Sequence, residues 1–501
     1  MKDCKLVLAL LSLTFVSAVN AAEKNVIFYI ADDLGAYLGC YGYPQAKTPH
    51  MDALAADGTL FTNAYATTAS CSASRSVIMT GMHNHANGHY GHQHSYHHFS
   101  CYPNVAPFAL PRAMEGAGYR TGHIGKHHVA PDFIFHFGSM LKGNSRNPVE
   151  MVDNSLDFIK ADSAKPFLLY IGCSDPHRGG GKDLTNEHEP DLFGNKPEKG
   201  AFPGIEEAFY DPDAVFVPPF LPDTPACRAE LVNYYQSVSR VDTGLGYLIA
   251  KLKETGLYDK TMIIVTSDHG MAFPGGKTTV YEPGLRVPFI VRNPYIEKRG
   301  VKCEALISHT DITPTIIDFA GGLDEKKNAP KVMLNTKELF AANGVGGLDN
   351  KGPKVTAYQG KSWLDLLDKQ DSPDRRTIYA SHTFHEIQMY YPMRVIRDDK
   401  FKLIWNIAHP LPYPFASDLW SAATWQAQWK LGPEANYGTK TVGEYVQRPE
   451  FELYDMQYDP DERNNLAVDP DHAAILEDYQ ARLKAFQEEY NDPWIMKWEY
   501  E

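Results

Sequence analysis

The sequence predicts an α/β fold: a large domain whose helices cover both faces of a mainly parallel sheet, followed by a smaller C-terminal α+β domain. Short apolar runs alternate with helical segments from residue 23 to about 320, which is the pattern of strand–helix–strand units. From residue 376 the pattern changes to closely spaced strand-like runs and one long final helix. That second pattern indicates an antiparallel sheet with a helix packed on it.

The N-terminus has the features of a secretory signal over residues 1–22. Lys2 and Lys5 precede an apolar core from Leu6 to Val19, and small residues follow it. No later stretch is long and apolar enough to span a bilayer. The absence of any Asn-x-Ser/Thr acceptor favours a bacterial setting over a lysosomal one. We therefore expect an exported protein, periplasmic or extracellular, with no membrane partner.

The net charge of −14 argues against a nucleic-acid binder, which needs a basic face. If the substrate is anionic, positive charge must be concentrated in the site. Residues 23–375 form the predicted large domain, with a polar, irregular linker over about 321–375. Residues 376–501 form the predicted C-terminal domain.

Four predicted strands end in polar residues that can carry chemistry. The strands are 25–30, 119–125, 167–172 and 262–266, and the carboxyl edge of a parallel sheet is where α/β folds build their sites. The residues that follow them are Asp32 and Asp33, Lys126 and His128, Asp175, His177 and Arg178, and Asp268 and His269. Hard carboxylate oxygens suit Ca²⁺ or Mg²⁺. Lys277 lies in a Gly-rich loop shortly after the fourth strand.

The other elements follow from local signals. Thr48-Pro49 opens a helix that extends to Asp57, with Thr as N-cap and Pro in the first turn. Further helices are predicted over 109–118, 148–162, 226–256 and 471–490, and one starts at about residue 310. Residues 179–225 carry many Gly, Pro and charged residues and are predicted to be a long surface excursion.

Cys71 precedes an apolar run with helical spacing, and Arg75 follows it by four positions. A cysteine at a helix N-terminus beside a guanidinium lies in a positive field, which favours its anionic form. The run from His83 to His98 is rich in histidine and contains two His-x₃-His pairs. That spacing aligns metal ligands only on a helix, and the glycines make a helix unfavourable here, so we interpret the run as a polar loop that borders the cleft.

The segment CSASR at Cys71–Arg75, with Thr80-Gly81 downstream, resembles the signature of the type I sulfatases of the alkaline-phosphatase superfamily. Within that family the resemblance is closest to the N-sulfoglucosamine sulfohydrolases, the heparan N-sulfatases, and it covers almost the whole mature chain. The segments that carry it include TGHIGKHHV, DPHR, YDPDAVFVPPFLPDTPACRAEL, HEIQMYYPMR and FELYDMQYDPDERNNLA.

The resemblance implies an alkaline-phosphatase-like fold and a complete set of site residues. Cys71 would be oxidised to formylglycine (3-oxoalanine) by a maturation enzyme, and its hydrate would be the nucleophile. One Ca²⁺ would be held by Asp32, Asp33, Asp268 and His269, with the modified Cys71 in contact. Arg75, Lys126 and Lys277 would stabilise the sulfate, His177 would protonate the leaving group, and His128 would deprotonate the remaining hydroxyl. The implied substrate-binding residues are Asp175, Arg178, His385 and Glu386.

The implied substrate is N-sulfated glucosamine in heparin or heparan fragments, and the implied assembly is a homodimer. Three residues depart from the N-sulfatase pattern: Ala73 replaces Pro, His269 replaces Asn and Lys277 replaces Arg. An O-sulfatase acting on another sulfated glycan therefore stays open. Less favoured are a phosphatase or phosphonate hydrolase of the same superfamily and a non-catalytic glycan-binding relative.

Overall fold

The computed structural model describes residues 24–94, 97–161, 164–179, 189–196, 201–344 and 352–500. The predicted signal, residues 1–22, lies outside the described residues. The helices are α1 (Pro49–Ala56), α2 (Cys71–Thr80), α3 (Asn84–Asn87), α4 (Leu110–Gly116), α5 (Asp132–Phe135), α6 (Pro148–Lys160), α7 (Pro225–Glu254), α8 (Glu282–Leu285), α9 (Ile312–Phe319), α10 (Thr336–Ala342), α11 (Ser417–Trp420), α12 (Ala423–Trp429), α13 (Val442–Val446) and α14 (Ala473–Glu489).

The strands of the large sheet are β1 (Asn25–Ala31), β2 (Thr59–Phe61), β4 (Arg120–Gly125), β5 (Ser139–Met140), β6 (Phe167–Gly172), β7 (Thr261–Ser267), β8 (Phe289–Arg292) and β9 (Val301–Cys303). The small sheet contains β13 (Thr377–His382), β14 (Met393–Asp398), β15 (Phe401–Asn406) and β18 (Phe451–Asp455). Short paired strands are β3 (Ala64–Tyr65), β10 (Ile307–Ser308), β11 (Leu323–Asp324), β12 (Ala329–Pro330), β16 (Asn436–Tyr437) and β17 (Lys440–Thr441).

The large sheet has eight strands in the order β5-β4-β6-β1-β7-β8-β2-β9. The strands from β5 to β7 are parallel, β8 runs antiparallel to both β7 and β2, and β2 and β9 are parallel. The predicted mainly parallel sheet is therefore confirmed. Its centre is β1, which pairs with β6 on one side and β7 on the other.

The side chains of β1 alternate between two hydrophobic cores, one on each face of the sheet. Ile27 and Tyr29 belong to the core that α7 covers, whereas Phe28 and Ile30 belong to the core that includes Ile316 of α9. Because successive residues of a strand point to opposite faces, a strand buried on both sides must be continuously apolar, as β1 is. Helices on both faces confirm the predicted layering.

The small sheet is antiparallel throughout, in the order β13-β14-β15-β18. Tyr479 and Leu483 of α14 pack on Ile396 and Leu403 of the sheet, so the predicted C-terminal α+β architecture is also confirmed. None of the helices in the described part of the chain is long and apolar enough to cross a membrane.

The predicted linker, residues 321–375, packs on the large domain in part of its length. Trp363 and Leu366 are buried in the same core as β1 side chains. The apolar residues here are too widely spaced to show a strand or helix period, which is why the sequence indicates only an irregular segment. The division into domains at residue 376 stays a prediction, and the small sheet begins at Thr377.

The histidine-rich run differs from the predicted polar loop, because most of its described histidines are buried. His83 and His85 stack at a ring-centroid distance of 5.6 Å and both face the edge of Phe486 in α14. Asn84 and Asn87 of α3 donate hydrogen bonds to Ser76 of α2. These hydrogen bonds hold the start of the run against α2, in the interior of the protein.

These buried histidines make the fold sensitive to acid. Burial lowers the pKa of His83 to about 3, of His85 to about 4 and of His89 to about 3, whereas each histidine titrates near its ordinary value of about 6.5 when unfolded. The unfolded chain therefore binds more protons below pH ~6.5. We expect the free energy of unfolding to fall by up to about 1.4 kcal/mol per pH unit for each such histidine between pH ~6.5 and ~4.

Urea unfolding at several pH values in that window measures this loss of stability. His85→Phe keeps an aromatic ring against His83 and Phe486 and removes one titrating group, so its stability should depend less steeply on pH than that of the parent. Equal stability of the parent at pH ~7.5 and ~5.5 would contradict the prediction.

Candidate active site

Four neighbouring strands deliver the predicted site residues to one edge of the large sheet. β4, β6, β1 and β7 lie side by side and parallel, so their carboxyl ends meet at the same edge. The residues that follow them are Lys126 and His128, His177, Asp32 and Asp33, and Asp268 and His269. Asp33 and His128 adopt positive φ angles of 67° and 57°, a conformation that non-glycine residues keep mainly at functional sites.

Cys71 is the first residue of α2 and is completely buried at the centre of this edge. Its Sγ lies 3.7 Å from Asp33 Oδ1 and 3.4 Å from His269 Nε2. Burial raises the pKa of the Cys71 thiol, and the nearby cations of Lys126 and Lys277 offset this only in part. The sequence predicts that the anionic form of Cys71 is favoured. That prediction is wrong, because desolvation outweighs the positive field.

The carboxylates around Cys71 form a cluster suited to a divalent cation. Donor atoms of Asp33, Cys71, Asp268 and His269 all lie within 4.8 Å of one another, and a second overlapping group adds Asp32. His269 Nε2 lies 3.0 Å from Asp33 Oδ1. Burial, followed by the charge of Asp32, raises the pKa of Asp268 to about 6. A cation bound among these carboxylates would lower that pKa.

Three cations, Arg75, Lys126 and Lys277, pair with these carboxylates. Arg75 is fully buried and donates from Nε to Asp268 Oδ2 (2.9 Å) and from a terminal nitrogen to Asp32 Oδ1 (3.2 Å). Lys126 pairs with Asp32 Oδ2. Burial acts to raise the pKa of Asp32, but Lys126, followed by His177 and Arg75, outweighs it and holds that pKa well below its usual range.

Lys277 links the carboxylates to the C-terminal domain. Its buried Nζ donates to Asp33 Oδ2 (3.1 Å), His177 Nε2 (2.9 Å) and Asp418 Oδ2 (2.8 Å). His177 Nδ1 lies 2.6 Å from the carbonyl oxygen of Arg178, so that nitrogen carries a proton and Nε2 faces the cluster. Burial and then the charge of Lys277 lower the pKa of His177.

Asp418, at α11, is a site residue that the sequence analysis missed. Its Oδ1 is buried and accepts no hydrogen bond from the described residues, while its Oδ2 pairs with Lys277. A buried carboxylate oxygen without a partner is costly unless a ligand supplies a donor. The sequence offers no signal for it, because Asp418 lies 141 residues from Lys277 in a segment without a chemical motif.

One open cleft reaches this cluster from solvent. Its lining residues come from five segments of the large domain and are Asp32, Gln93, Lys126, His128, Ser145, Arg146, Ser174 and His177. His128 and His177 therefore face the same space above the carboxylates. Burial and the charge of Lys126 hold the pKa of His128 well below its usual range, so its imidazole is neutral at neutral pH.

Asp175 and Arg178 are held in ion pairs with other protein side chains, and their role in substrate binding stays a prediction. Asp175 Oδ2 accepts from Arg240 Nε at 2.6 Å. The guanidinium of Arg178 is buried and donates two hydrogen bonds to Glu230, at 2.7 and 3.1 Å. Both side chains therefore fix the loop that presents His177, and Asp175 also pairs with Arg146, which lines the cleft.

We expect Arg178→Ala to lower the free energy of unfolding by about 3–5 kcal/mol, because it leaves Glu230 as an unpaired buried charge. Chemical denaturation measures the loss. The double variant Arg178→Met/Glu230→Gln removes both charges and should recover part of it. A stable Arg178→Ala protein with a raised KM would instead support a role for Arg178 in substrate binding.

The two residues predicted to recognise the sugar lie behind and beside the cleft. His385 is buried, with its Nδ1 2.9 Å from Ser70 Oγ and 3.1 Å from His92 Nε2. Glu386 is half-buried and accepts a hydrogen bond from Ser417, the neighbour of Asp418. Glu386 therefore lies next to the segment that contains Asp418. His385 is buried behind the cleft, in contact with Ser70 and His92.

A model of the Sulfatase family matches residues 24–322, which is more than half of the chain. The chain belongs to the sulfatase family. It is 34% identical over 490 residues to human N-sulphoglucosamine sulphohydrolase, covering 95% of this chain and 92% of the relative. It is 30% identical over 471 residues to an ulvan-active sulfatase of Formosa agariphila, covering 92% of this chain and 79% of the relative.

A solved structure with the same fold is described as a complex with its substrate, D-glucosamine-2-N,6-O-disulfate. It superposes on this sulfatase with a TM-score of 0.60 at 19% identity, and the match covers 94% of this chain and 98% of the other. The family match and the relatives identify this sulfatase as a hydrolase of sulfate esters or sulfamates. They also confirm the family resemblance found in the sequence.

Proposed function

We propose that this sulfatase hydrolyses the N-sulfate of glucosamine residues in heparin or heparan sulfate fragments, with formylglycine made from Cys71 as nucleophile and Ca²⁺ as metal. The observation that carries the proposal is the 34% identity with the human N-sulphoglucosamine sulphohydrolase along nearly the whole chain. The similarity extends through the C-terminal domain, which supplies Asp418 and Glu386 beside the cleft. It therefore includes the segments of Asp418 and Glu386 as well as the catalytic cluster.

The position of Cys71 supports a role for its oxidised form. Its thiol is buried and its pKa is raised, so an unmodified thiol is a poor nucleophile at neutral pH. The Cys71 side chain nevertheless lies among the carboxylates and beneath the cleft. A hydrated aldehyde at this position would have the carboxylates and the cations of Lys126 and Lys277 as its neighbours.

The donor set fits a hard divalent cation. Asp32, Asp33 and Asp268 offer carboxylate oxygens, which suit Ca²⁺, and His269 adds one nitrogen. Ca²⁺ bound there would supply positive charge that polarises a sulfate oxygen and the nucleophilic hydroxyl. Because imidazole is also a common ligand of zinc, copper, iron and nickel, metal analysis of the purified protein is part of the test.

The remaining residues account for charge and proton transfer. The cations of Lys126 and Lys277 would stabilise the negative charge of the sulfate oxygens, and Arg75 holds Asp32 and Asp268 in place. As one hydroxyl of the formylglycine hydrate attacks sulfur and the S–N bond breaks, Nε2 of His177 would take the proton lost by that hydroxyl and pass it to the departing nitrogen. His128 would then take the proton of the second hydroxyl, so that the aldehyde reforms and sulfate leaves.

Asp418 supports recognition of a glycan with hydrogen-bond donors. Its unpartnered Oδ1 lies beside Lys277 and His177 and can accept from a sugar hydroxyl or from the sulfamate N–H. A site that buries an acceptor for a substrate donor discriminates strongly against substrates that lack it. Asp418 is therefore our candidate for selecting the sugar.

The second candidate is an O-sulfatase that acts on another sulfated glycan. The 30% identity with the ulvan-active sulfatase favours it, as do His269 and Lys277, which depart from the N-sulfatase pattern. Lys277 stands where the N-sulfatase pattern has Arg, so a point charge replaces a bidentate guanidinium. Its Nζ already donates to three acceptors within the protein. The intact Cys71, Arg75 and metal carboxylates weigh against a phosphatase and against a non-catalytic glycan binder.

Sulfate release from N-sulfoglucosamine and from 6-O-sulfated N-acetylglucosamine, measured in parallel, tests the proposal. The enzyme is purified from a host that forms formylglycine, and Cys71→Ala is the blank. We expect release from the N-sulfated sugar only. Release from the O-sulfated sugar only would keep the nucleophile and metal but reject the N-sulfatase assignment.

We also propose that the protein is exported to the periplasm or the cell exterior, depends on a formylglycine-forming maturation enzyme and forms a homodimer. The signal over residues 1–22 supports export. N-terminal sequencing of the mature protein and its mass in solution test export and assembly. An uncleaved, monomeric protein would reject both.

A further inference from the structure

Three imidazoles meet at the mouth of the cleft, outside the carboxylate cluster. His94 Nδ1 lies 3.1 Å from His92 Nδ1 and 3.0 Å from His128 Nε2. All three nitrogens lie within 4.8 Å of one another. We call these residues the histidine cluster. His92 is buried, His128 is half-buried and His94 is exposed, so the cluster opens to solvent on one side.

Hydrogen bonding alone does not satisfy this arrangement. A neutral imidazole carries one N–H and one lone pair, yet His94 Nδ1 faces nitrogens of both other rings. His94 Nδ1 therefore has either one proton or one lone pair for two facing nitrogens, and only one of the two contacts can be a full hydrogen bond.

A transition-metal ion would accept all three lone pairs. With Zn–N distances of about 2.0–2.1 Å, two ligands of a tetrahedral Zn²⁺ are about 3.3 Å apart. The two shortest nitrogen–nitrogen separations in the cluster are within a few tenths of an ångström of that value. Three histidines also leave the fourth position open toward the cleft, as in zinc sites that bind water or an anion.

The surroundings hold the ligands in place and keep them neutral. His92 Nε2 lies 3.1 Å from His385 Nδ1, which in turn lies 2.9 Å from Ser70 Oγ, so a second layer orients the His92 ring as it does in metal sites. Burial lowers the pKa of both His92 and His128, so their lone pairs are available at neutral pH. The charge of Lys126 opposes a cation here, and we expect weaker binding than in a closed structural zinc site.

We propose that His92, His94 and His128 form a Zn²⁺ site at the cleft mouth, and that its occupation inhibits the enzyme by binding Nε2 of His128. The inhibition rests on the proposed function, in which His128 is the base; the metal site itself does not. This site is separate from the carboxylate cluster and selects a softer metal with nitrogen ligands.

Metal binding is measured in Cys71→Ala protein saturated with Ca²⁺, so that neither a thiolate nor the carboxylate cluster contributes. Co²⁺ serves as a spectroscopic probe, and Zn²⁺ displaces it in a calorimetric titration. We expect one site per chain, with the visible absorption of nitrogen-coordinated tetrahedral Co²⁺. His94→Asn should weaken binding by about 10-fold or more.

The matched control is His98→Asn, an exposed histidine of the same run whose positive φ Asn tolerates. It should bind Co²⁺ and Zn²⁺ as the parent does. In the converted enzyme, Zn²⁺ should inhibit the parent and His98→Asn, while His94→Asn keeps its turnover and resists Zn²⁺.

Absence of saturable binding, or equal binding by His94→Asn and the parent, would overturn the metal site. Binding that depends on His94 but leaves turnover unchanged would support the site and reject the inhibition, and with it the role of His128 as the base. A failure of the N-sulfatase assignment would show in the substrate comparison and would leave the Co²⁺ spectrum unaffected.

Discussion

Cys71→Ala should lower the rate of sulfate release by roughly 10⁴-fold or more, because it removes the group that attacks sulfur. Cys71 is the one cysteine in the described part of the chain that lies among the carboxylates, 3.7 Å from Asp33 and 3.4 Å from His269. Release of inorganic sulfate from N-sulfoglucosamine, with protein concentration held equal, measures the effect.

The matched control for this variant is Cys40→Ala. Cys40 is also a free cysteine. It is half-buried, its backbone amide donates to Asp52, and it is not among the residues that line the cleft. We expect wild-type turnover from Cys40→Ala. Substantial activity in Cys71→Ala would mean that another group is the nucleophile and would remove the basis for the formylglycine mechanism.

Asp33→Asn should lower the rate by roughly 10³-fold and release the bound metal. Asp33 Oδ1 contacts His269 and its Oδ2 contacts Lys277, so this carboxylate joins a proposed metal ligand to a cation proposed to bind sulfate. An amide has no net charge to offer either partner. Metal content by elemental analysis, followed by turnover with added Ca²⁺, separates weakened binding from lost chemistry.

Asp242→Asn is the matched control, a buried carboxylate on α7 whose oxygens accept from the backbone amides of His50 and Met51. Burial raises the pKa of Asp242 to about 7, and Asn keeps an acceptor oxygen for one of the two amides. This variant should keep both metal and activity. Full metal content in Asp33→Asn would show that Asp33 is not a ligand.

The sequence predicts those parts of the site that follow directly from strand order. Each of the four strands is a short apolar run followed by polar residues, so the pattern alone places Asp32 and His269 at one edge of the sheet. The order β4-β6-β1-β7 then brings them together. Periodicity also predicts α7 and α14 to within a few residues.

The parts that the sequence does not predict depend on long-range contacts. Asp418 reaches Lys277 from the other domain, and no local pattern marks it. Arg178 stands beside His177 in sequence, yet it turns away to pair with Glu230. Burial of α2 raises the pKa of Cys71, whereas the positive charge next to Cys71 in the sequence predicts a lowered pKa. Burial and pairing partners are properties of the folded chain.

The mass of the peptide that contains Cys71 tests the central claim most directly. Protein from a host that forms formylglycine is digested, and the peptide is measured with and without an aldehyde-reactive probe. We predict a peptide in which the thiol is replaced by an aldehyde that the probe captures, with activity proportional to the converted fraction across preparations. Full sulfate release by protein whose Cys71 remains entirely a thiol would contradict the mechanism.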